Sequence, residues 1–357
     1  MMTMMMMRTR ALARKRCDRN ANVEMMAHAK AMTRGMTMSV EMKTMMIKRL
    51  RERAGAPIVD VKRALEQSSY DEEKAYDELR TKGLSAVAKK ASRAAADGLV
   101  SARVGKRGAA LIEINSETDF VSRNEEFQDL VRGSAEAIYG RIASDEVFAA
   151  NARGGRNGGA YEAAAVEANA TNVAGETLGD LVKETAANVR ENVSLRRAFV
   201  YATTDGSEEV IGAYVHGAIS PGVGRQAAFV VAKGVSEDFA NKLAMHIVAS
   251  APAYLRANCV PKEAQDREMA VFRAQTEGTG KPAAILEKIL LGRMHKYYED
   301  VCLENQKFIL DDSMTVGKAV KAEGGELIAF ARIKVGEGIE IEAKDFAKEV
   351  AETIRST

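Results

Sequence analysis

Residues 108–138 read GAALIEINSETDFVSRNEEFQDLVRGSAEAI, and residues 226–250 read QAAFVVAKGVSEDFANKLAMHIVAS. In each, a short β-rich apolar run leads to an acidic turn, a Phe (Phe127, Phe239) and a stretch of helical periodicity. The second copy starts 118 residues after the first, and the first carries six extra residues around SETDFVSR. Any strand–turn–helix unit shares this outline. A duplication, by contrast, predicts two related α+β subdomains side by side, each built on an antiparallel sheet.

Working outward, LVSARVGKRGAALIEIN (99–115) places a Gly-Lys-Arg-Gly turn between two β-rich runs and predicts a hairpin. Residues 125–139 return to a helical period through Phe127, Leu130, Val131 and Ile138. The Gly-, Asn- and Ala-rich segment 150–176 reads as a loop or insertion. A helix, TLGDLVKETAANVREN, then leads to SLRRAFVYAT and EVIGAYVHGA, which read as a second β pair across Thr-Asp-Gly-Ser. KPAAILEKILLGRMHKYYEDVCLENQKFIL (281–310) carries an apolar stripe through Ile285, Leu286, Ile289 and Leu290, continued at Met294 and Tyr297 or Tyr298. That fits two antiparallel helical arms, too short for a long coiled coil. GGELIAFARIKVGEGIEIE reads as a strand returning to the second sheet, and AKDFAKEVAETIRST as a short terminal helix.

Upstream, residues 44–83 predict three short helices. MMIKRLRERAG ends at a capping Gly, IVDVKRALEQ follows Pro57, and SSYDEEKAYDELRTKG closes at Gly83. Ile47, Leu50, Val61, Leu65, Tyr76 and Leu79 fall at helical spacing and can close a small core. About 40 residues make a marginal domain, so a tethered module is expected. The following LSAVAKKASRAAADG is a basic, Ala-rich connector that can be helical. Residues 1–40 hold eight Lys/Arg against Asp18 and Glu24, and eleven of the eighteen methionines. This Arg-rich, acid-poor leader lacks the apolar core of a secretory signal, and it reads as an organelle-targeting segment or as a disordered start. The remaining residues hold 44 basic and 48 acidic side chains, so the body is not a general polyanion binder. No run approaches the ~20 apolar residues of a membrane span. Three isolated cysteines make no disulfide framework.

Motifs for chemistry are absent. GTGK at 278–281 lacks the preceding Gly of a P-loop, and GVGRQA at 222–227 is followed by a β-type run where a dinucleotide-binding helix must begin. Glu117 and Asp119 are the one carboxylate pair worth weighing, and adjacent acids in a loop are usually capping or solvated groups. No catalytic residue, cofactor or metal is expected, and the chain reads as a protein-binding protein. Thr118-Asp119-Phe120-Val121 stands out as a hydrophobic tip flanked by charges. Phe120 and Val121 either pin the loop to the core, or Phe120 is an aromatic wedge aimed at a partner's pocket.

KRLRERAGAPIVDVKRALE, AAADG, INSETDFVSRNEEF, NVSLRR, YVHG, AMHIVAS, GKPAAILEKILLGRM and VGEGIE resemble, in the correct order, the elongation factor Ts family. The likeness covers residues 44–357, and the TDFV and GKP…GRM blocks are specific to that family. It implies an α+β fold with an N-terminal three-helix bundle of the ubiquitin-associated (UBA-like) type, a two-subdomain core and an inserted helical hairpin. Combined with the periodicities, it divides the chain into a leader 1–40, the bundle 41–84, a linker 85–98, and a core subdomain 99–205 with the insertion 150–176. A second subdomain 206–280, the hairpin 281–318 and a return segment 319–357 complete it. The resemblance implies guanine-nucleotide exchange on elongation factor Tu, bound both with GDP and nucleotide-free, without covalent chemistry. A fold-preserving scaffold that no longer exchanges nucleotide is the alternative. Thr118, Asp119, Phe120 and Val121 match the family's wedge into the partner's GTPase domain. His246 matches a family histidine that contacts the same domain, although a lone His on an amphipathic helix is also a common structural residue. Arg51, Ile58, Val59 and Lys62 match the bundle's contact surface. Departures are Pro57-Ile58-Val59 where Gly-Met-Met is common, and Gln226-Ala227 where the family has Ile-Gly. Neither nucleic acid nor membrane is expected as a direct partner. A homodimer through the hairpin is possible within this reading, and the Arg-rich, Ser-poor leader favours mitochondria over plastids.

Overall fold

The computed structural model describes residues 39–339, except 55, 91–92, 154–160, 163–174, 176, 205 and 277–281. The expected leader, most of the Gly-rich insertion and the C-terminal helix lie outside the described residues. Contacts divide the chain into two units that meet between Lys82 and Gly83.

In the first unit, α1 (Val40–Ala54), α2 (Ile58–Gln67) and the start of α3 (Glu72–Lys90) enclose Leu50, Val61, Ala64, Leu65, Ala75 and Leu79. Ile47 and Tyr76 pack at the edge of this core. Pro57 takes the cap position of α2 with an extended backbone, where a missing N–H removes nothing from the helix. Ser69 and Tyr70 both take left-handed backbone, and the Tyr70 N–H closes the turn on the Leu65 carbonyl at 2.6 Å. The Arg49 guanidinium makes a two-pronged contact with the buried Glu72 carboxylate, at 2.7 and 2.5 Å. The third helix does not stop at Gly83 as the sequence reading expects. LSAVAKK consists largely of good helix formers, and Gly83 does not adopt the left-handed conformation of a cap.

The second unit is two antiparallel sheets packed face to face, each covered outside by helices. β1 (Asp97–Gly105) and β2 (Gly108–Ser116) form the expected hairpin, with Gly105 opposite Gly108 and only Lys106-Arg107 between them. Then come α4 (Glu125–Ser144), α5 (Glu146–Ala152), β3 (Tyr161–Glu162), α6 (Leu178–Val189) and β4 (Ser194–Ala202). The first sheet has the order β3-β4-β2-β1-β6, where β6 is Val223–Gly224. The second sheet is β10-β7-β5, from β5 (Glu209–His216), β7 (Gln226–Lys233) and β10 (Glu326–Lys334). α7 (Glu237–Ser250) follows β7 and covers this sheet.

The repeat at 108–138 and 226–250 is therefore β2–α4 and β7–α7, and in both sheets this second strand is central. Period-2 alternation works on both of its faces. Ala110, Ile112 and Ile114 meet Phe127, Leu130, Val131 and Ile138 of α4, while Ala109 and Leu111 face the other sheet. Likewise Ala228, Val230 and Ala232 meet Leu243, Ala244 and Ile247 of α7, while Ala227, Phe229 and Val231 line the inter-sheet core. Strands buried on both faces read as nearly continuous apolar runs, as these do. The two halves thus stack back to back, where the sequence reading expects them side by side.

SLRRAFVYAT and EVIGAYVHGA do not form a hairpin. β4 pairs with β2 and β5 with β7, so their connection crosses from one sheet to the other. Gly212 in β5 explains one constraint. A Cβ there would lie 2.1 Å from the backbone of Ala240, so α7 can sit this close only over a glycine. The helical hairpin also differs from its expected 281–318 span. Its arms are α8 (Lys262–Thr276) and α9 (Ala283–Val301), joined across by Arg293 to Gln275 (2.6 Å) and the Tyr298 hydroxyl to Gln265 (3.0 Å). Residues 303–322 instead form a short 3-10 turn, a ribbon of β8 (Lys307–Phe308) and β9 (Asp311–Thr315), and α10 (Val316–Ala322).

A buried carboxylate anchors the returning chain. Glu113 is fully buried on the inter-sheet face of β2. It accepts from Arg196 (3.0 Å), Arg197 (2.6 Å), Asn115 (3.1 Å) and the Gly336 N–H (2.8 Å). Four donors compensate the desolvation of the charge.

Candidate partner-docking surface

The turn between β2 and α4 is built to be rigid. The Ser116 hydroxyl donates to the Thr118 carbonyl at 3.0 Å. The Thr118 N–H and hydroxyl both donate to the Glu191 carboxylate, at 2.9 and 2.6 Å. Glu117 accepts from the Asn192 N–H at 2.7 Å and pairs with Arg93 at 3.3 Å. Glu117 is thus consumed in holding the loop, which removes the acid–base reading of the Glu117–Asp119 pair. The Ser122 N–H and hydroxyl donate to the Asp119 carbonyl, Gln128 reaches the Ser122 carbonyl, and Asn124 caps α4 through the Glu126 N–H.

The two apolar residues of this turn then diverge. Val121 is buried and joins the core beneath α4. Phe120 points out, 72 % exposed, on backbone of helical geometry (φ −62°, ψ −37°). The structure separates the two residues: Val121 pins the turn to the core and Phe120 projects from it. An aromatic this exposed on a fixed turn adds little to the stability of its own fold and is free to meet a partner. Asp119 is half-buried beside it, and no side-chain hydrogen bond of its carboxylate occurs among the described residues.

In the bundle, Arg51 lies in the last turn of α1, and Ile58, Val59 and Lys62 occupy the first turns of α2. All four are exposed, while Val61, Ala64 and Leu65 on the opposite face of α2 close the core. Ile58 and Val59 are adjacent exposed aliphatics, and neither Arg51 nor Lys62 makes an ion pair among the described residues.

His246 is placed differently from the expectation of a partner contact. Its side chain is completely buried on the inner face of α7. Nε2 lies 3.0 Å from Gln306 Oε1, and the Ile309 N–H donates to Nδ1 at 3.2 Å. Burial lowers its pKa, with the Gln306 hydrogen bond acting in the opposite sense. In the free chain both imidazole nitrogens are thus engaged by internal groups. Above it the ribbon tip exposes Ile309 and Leu310, both about half accessible, followed by the exposed Asp311 and Asp312. Sequence reasoning missed this pair because KYYEDVCLENQKFIL reads as continuing helix. The signal present was an apolar pair directly before two aspartates, which is a poor helix interior and a good exposed turn.

Gln226 and Ala227, the departure from the family pattern, lie within β7. Ala227 is buried between the sheets, and Gln226 pairs with His216 and Lys334. Among the described residues no three His, Cys, Asp or Glu side chains gather as a metal site, and no helix is long and apolar enough to cross a membrane.

Comparison with known proteins agrees with this architecture. The family model described as Elongation factor TS matches residues 117–337, from the Phe120 turn through the last strand. A protein named "Elongation factor Ts, mitochondrial" from Ostreococcus tauri is 63% identical over 314 residues, covering 87% of this chain and 93% of its own length. Proteins named "Elongation factor Ts" from Paramagnetospirillum magneticum and Rhizobium etli are 40% and 38% identical, each over more than 85% of this chain and 95% of their own. The α+β core, the N-terminal helices and these likenesses together place the chain in the elongation factor Ts family, as a translation elongation factor.

Proposed function

We propose that this chain is the guanine-nucleotide exchange factor of elongation factor Tu, and that Thr118–Val121 carry the wedge that loosens GDP. The observation that carries this reading is the exposed Phe120 ring on a turn fixed by Glu191, Ser122 and Val121. A GTPase holds GDP through backbone donors around the phosphates and a Mg²⁺ that bridges protein and phosphate oxygens. An exchange factor needs no covalent chemistry. It must bind the nucleotide-free partner more tightly than the GDP-bound one, and that difference is the coupling free energy. Raising GDP release ~10³–10⁵-fold requires lowering the barrier by roughly 4–7 kcal/mol.

One aromatic anchor supplies ~2–4 kcal/mol on truncation, so Phe120 cannot act alone. Asp119, half-buried next to Phe120, adds a negative charge to the same wedge. The patch of Arg51, Ile58, Val59 and Lys62 and the Ile309–Leu310 tip supply grip that is retained when nucleotide leaves. The test is release of a fluorescent GDP analogue from elongation factor Tu. Acceleration by this chain supports the exchange reading, whereas stable complex formation with no acceleration favours a scaffold. We further propose a mitochondrial site of action, from the Arg-rich, acid-poor residues 1–40 and the mitochondrial name of the Ostreococcus relative. Import into isolated mitochondria rather than plastids, lost on removing those residues, is the expected result.

A further inference from the structure

The ribbon tip is held by a chain of hydrogen bonds whose direction can be assigned. Gln306 Nε2 donates to the Asp300 carbonyl at 2.9 Å and the Ser250 carbonyl at 3.2 Å. Carbonyls only accept, so these two contacts fix which end of the Gln306 amide is nitrogen. The Oε1 at the other end is an acceptor 3.0 Å from His246 Nε2, which must therefore carry the proton. A neutral imidazole has one donor and one acceptor, so Nδ1 is left as a lone pair. The Ile309 N–H donates to that lone pair at 3.2 Å. Phe308 packs against the imidazole with ring centroids 5.9 Å apart and against Phe239 at 5.8 Å. From Phe308 to Leu310 the chain thus passes from buried to exposed over a single anchored peptide.

We infer that His246 is a positioning residue: its Nδ1 fixes the Ile309 backbone so that Ile309 and Leu310 meet the partner as a preformed apolar tip. This inference rests on the docking role proposed above for that tip. A hydrophobic side chain of similar size would fill the space but strand the Ile309 N–H and Gln306 Oε1 in the interior. The chain keeps a polar group there, and the group directs a loop that would otherwise have to be ordered on binding.

The test is a double-mutant cycle read by GDP release from elongation factor Tu, with a thermal melt of every variant. One arm is His246→Ala, the second is Ile309→Ala with Leu310→Ala, and the third combines them. His246→Ala is expected to slow exchange roughly five- to tenfold, the equivalent of one lost buried hydrogen bond. Added to the tip variant it should cause little further loss, because what it positions is already gone. His246→Asn and His246→Gln separate positioning from packing and keep the test open if His246→Ala folds poorly. The Asn oxygen falls near the place of Nδ1 and should restore much of the rate. The Gln amide reaches toward Nε2 and should not. Additive losses in the cycle, or equal losses in Asn and Gln that track their melting temperatures, would overturn the inference. A tip variant that exchanges at the parent rate would instead remove the docking role of the tip, and the inference with it.

Discussion

Replacing Phe120 with alanine should separate binding from folding more cleanly than any other single change in this chain. The ring is 72 % exposed, so its removal uncovers little core. The turn beneath it is held by the paired Thr118–Glu191 bonds, the Ser122 bonds to the Asp119 carbonyl and the burial of Val121, none of which involves the ring. The stability change should stay within about 0.5 kcal/mol, as for an ordinary surface substitution. The exchange activity should respond quite differently. An aromatic anchor entering a desolvated pocket is worth ~2–4 kcal/mol on truncation, which converts to roughly 30- to 1,000-fold in rate. Stopped-flow release of a fluorescent GDP analogue measures that loss, and calorimetric or circular-dichroism melts measure the stability. Val121→Ala is the internal control. It should destabilise the fold by roughly 1–3 kcal/mol as a core truncation, and affect exchange only through that loss. A Phe120→Ala variant that melts as early as Val121→Ala would make Phe120 a core residue, and one that exchanges at the parent rate would remove it from the docking surface.

Three further outcomes follow from the same geometry. Glu113→Ala should destabilise the second unit by about 2–4 kcal/mol in a denaturant titration, because Arg196 and Arg197 lose the carboxylate between them and the Gly336 N–H its acceptor. That figure lies below the fully buried extreme because both arginines are partly solvated. Burial holds His246 below its ordinary value near 6.5, so the unfolded chain takes up that proton first as pH falls. The imidazole is faced by the Gln306 amide, the Phe308 ring and the more distant Ser250 hydroxyl, none of which titrates here. Its contribution to stability is therefore complete above pH ~6.5 and declines below it, by up to ~1.4 kcal/mol per pH unit until the folded-state value is reached. His246→Asn should remove this component from melts recorded across that range. Finally, Ile58→Asp with Val59→Asp should leave the bundle folded, since Leu50, Val61 and Leu65 carry its core, yet weaken complex formation with elongation factor Tu about tenfold or more in a binding titration.

The parts of the fold that were legible in the sequence are those where local chemistry and tertiary packing agree. The β1–β2 hairpin could be read because Gly105 and Gly108 bracket a two-residue turn between alternating runs. The repeated β2–α4 and β7–α7 units could be read because the same apolar face recurs in both copies. How the two halves meet could not be read, since a strand buried on both faces gives one continuous apolar signal whichever partner covers it. The same ambiguity made β4 and β5 resemble a hairpin, although a short loop can equally cross between sheets. Helix limits failed where termination depends on tertiary contacts. Gly83 does not stop α3, and the ribbon after Cys302 is set by Gln306, His246 and α10 rather than by its own propensity. At the candidate site, the Thr118–Val121 turn was visible as charged flanks around two apolar residues. Which of the two faces solvent depends on how the turn is held, in part by Glu191, 73 residues from Thr118, and was not. His246 was singled out by resemblance, and only the packing around it shows that its ring lies inside, under Ile309.

Nucleotide exchange is measured most directly as GDP release from elongation factor Tu with this chain present in sub-stoichiometric amounts. Each molecule of the chain should discharge many molecules of elongation factor Tu·GDP, at a rate that rises with its concentration and then saturates. Formation of a stable complex while GDP leaves at its unassisted rate would contradict it.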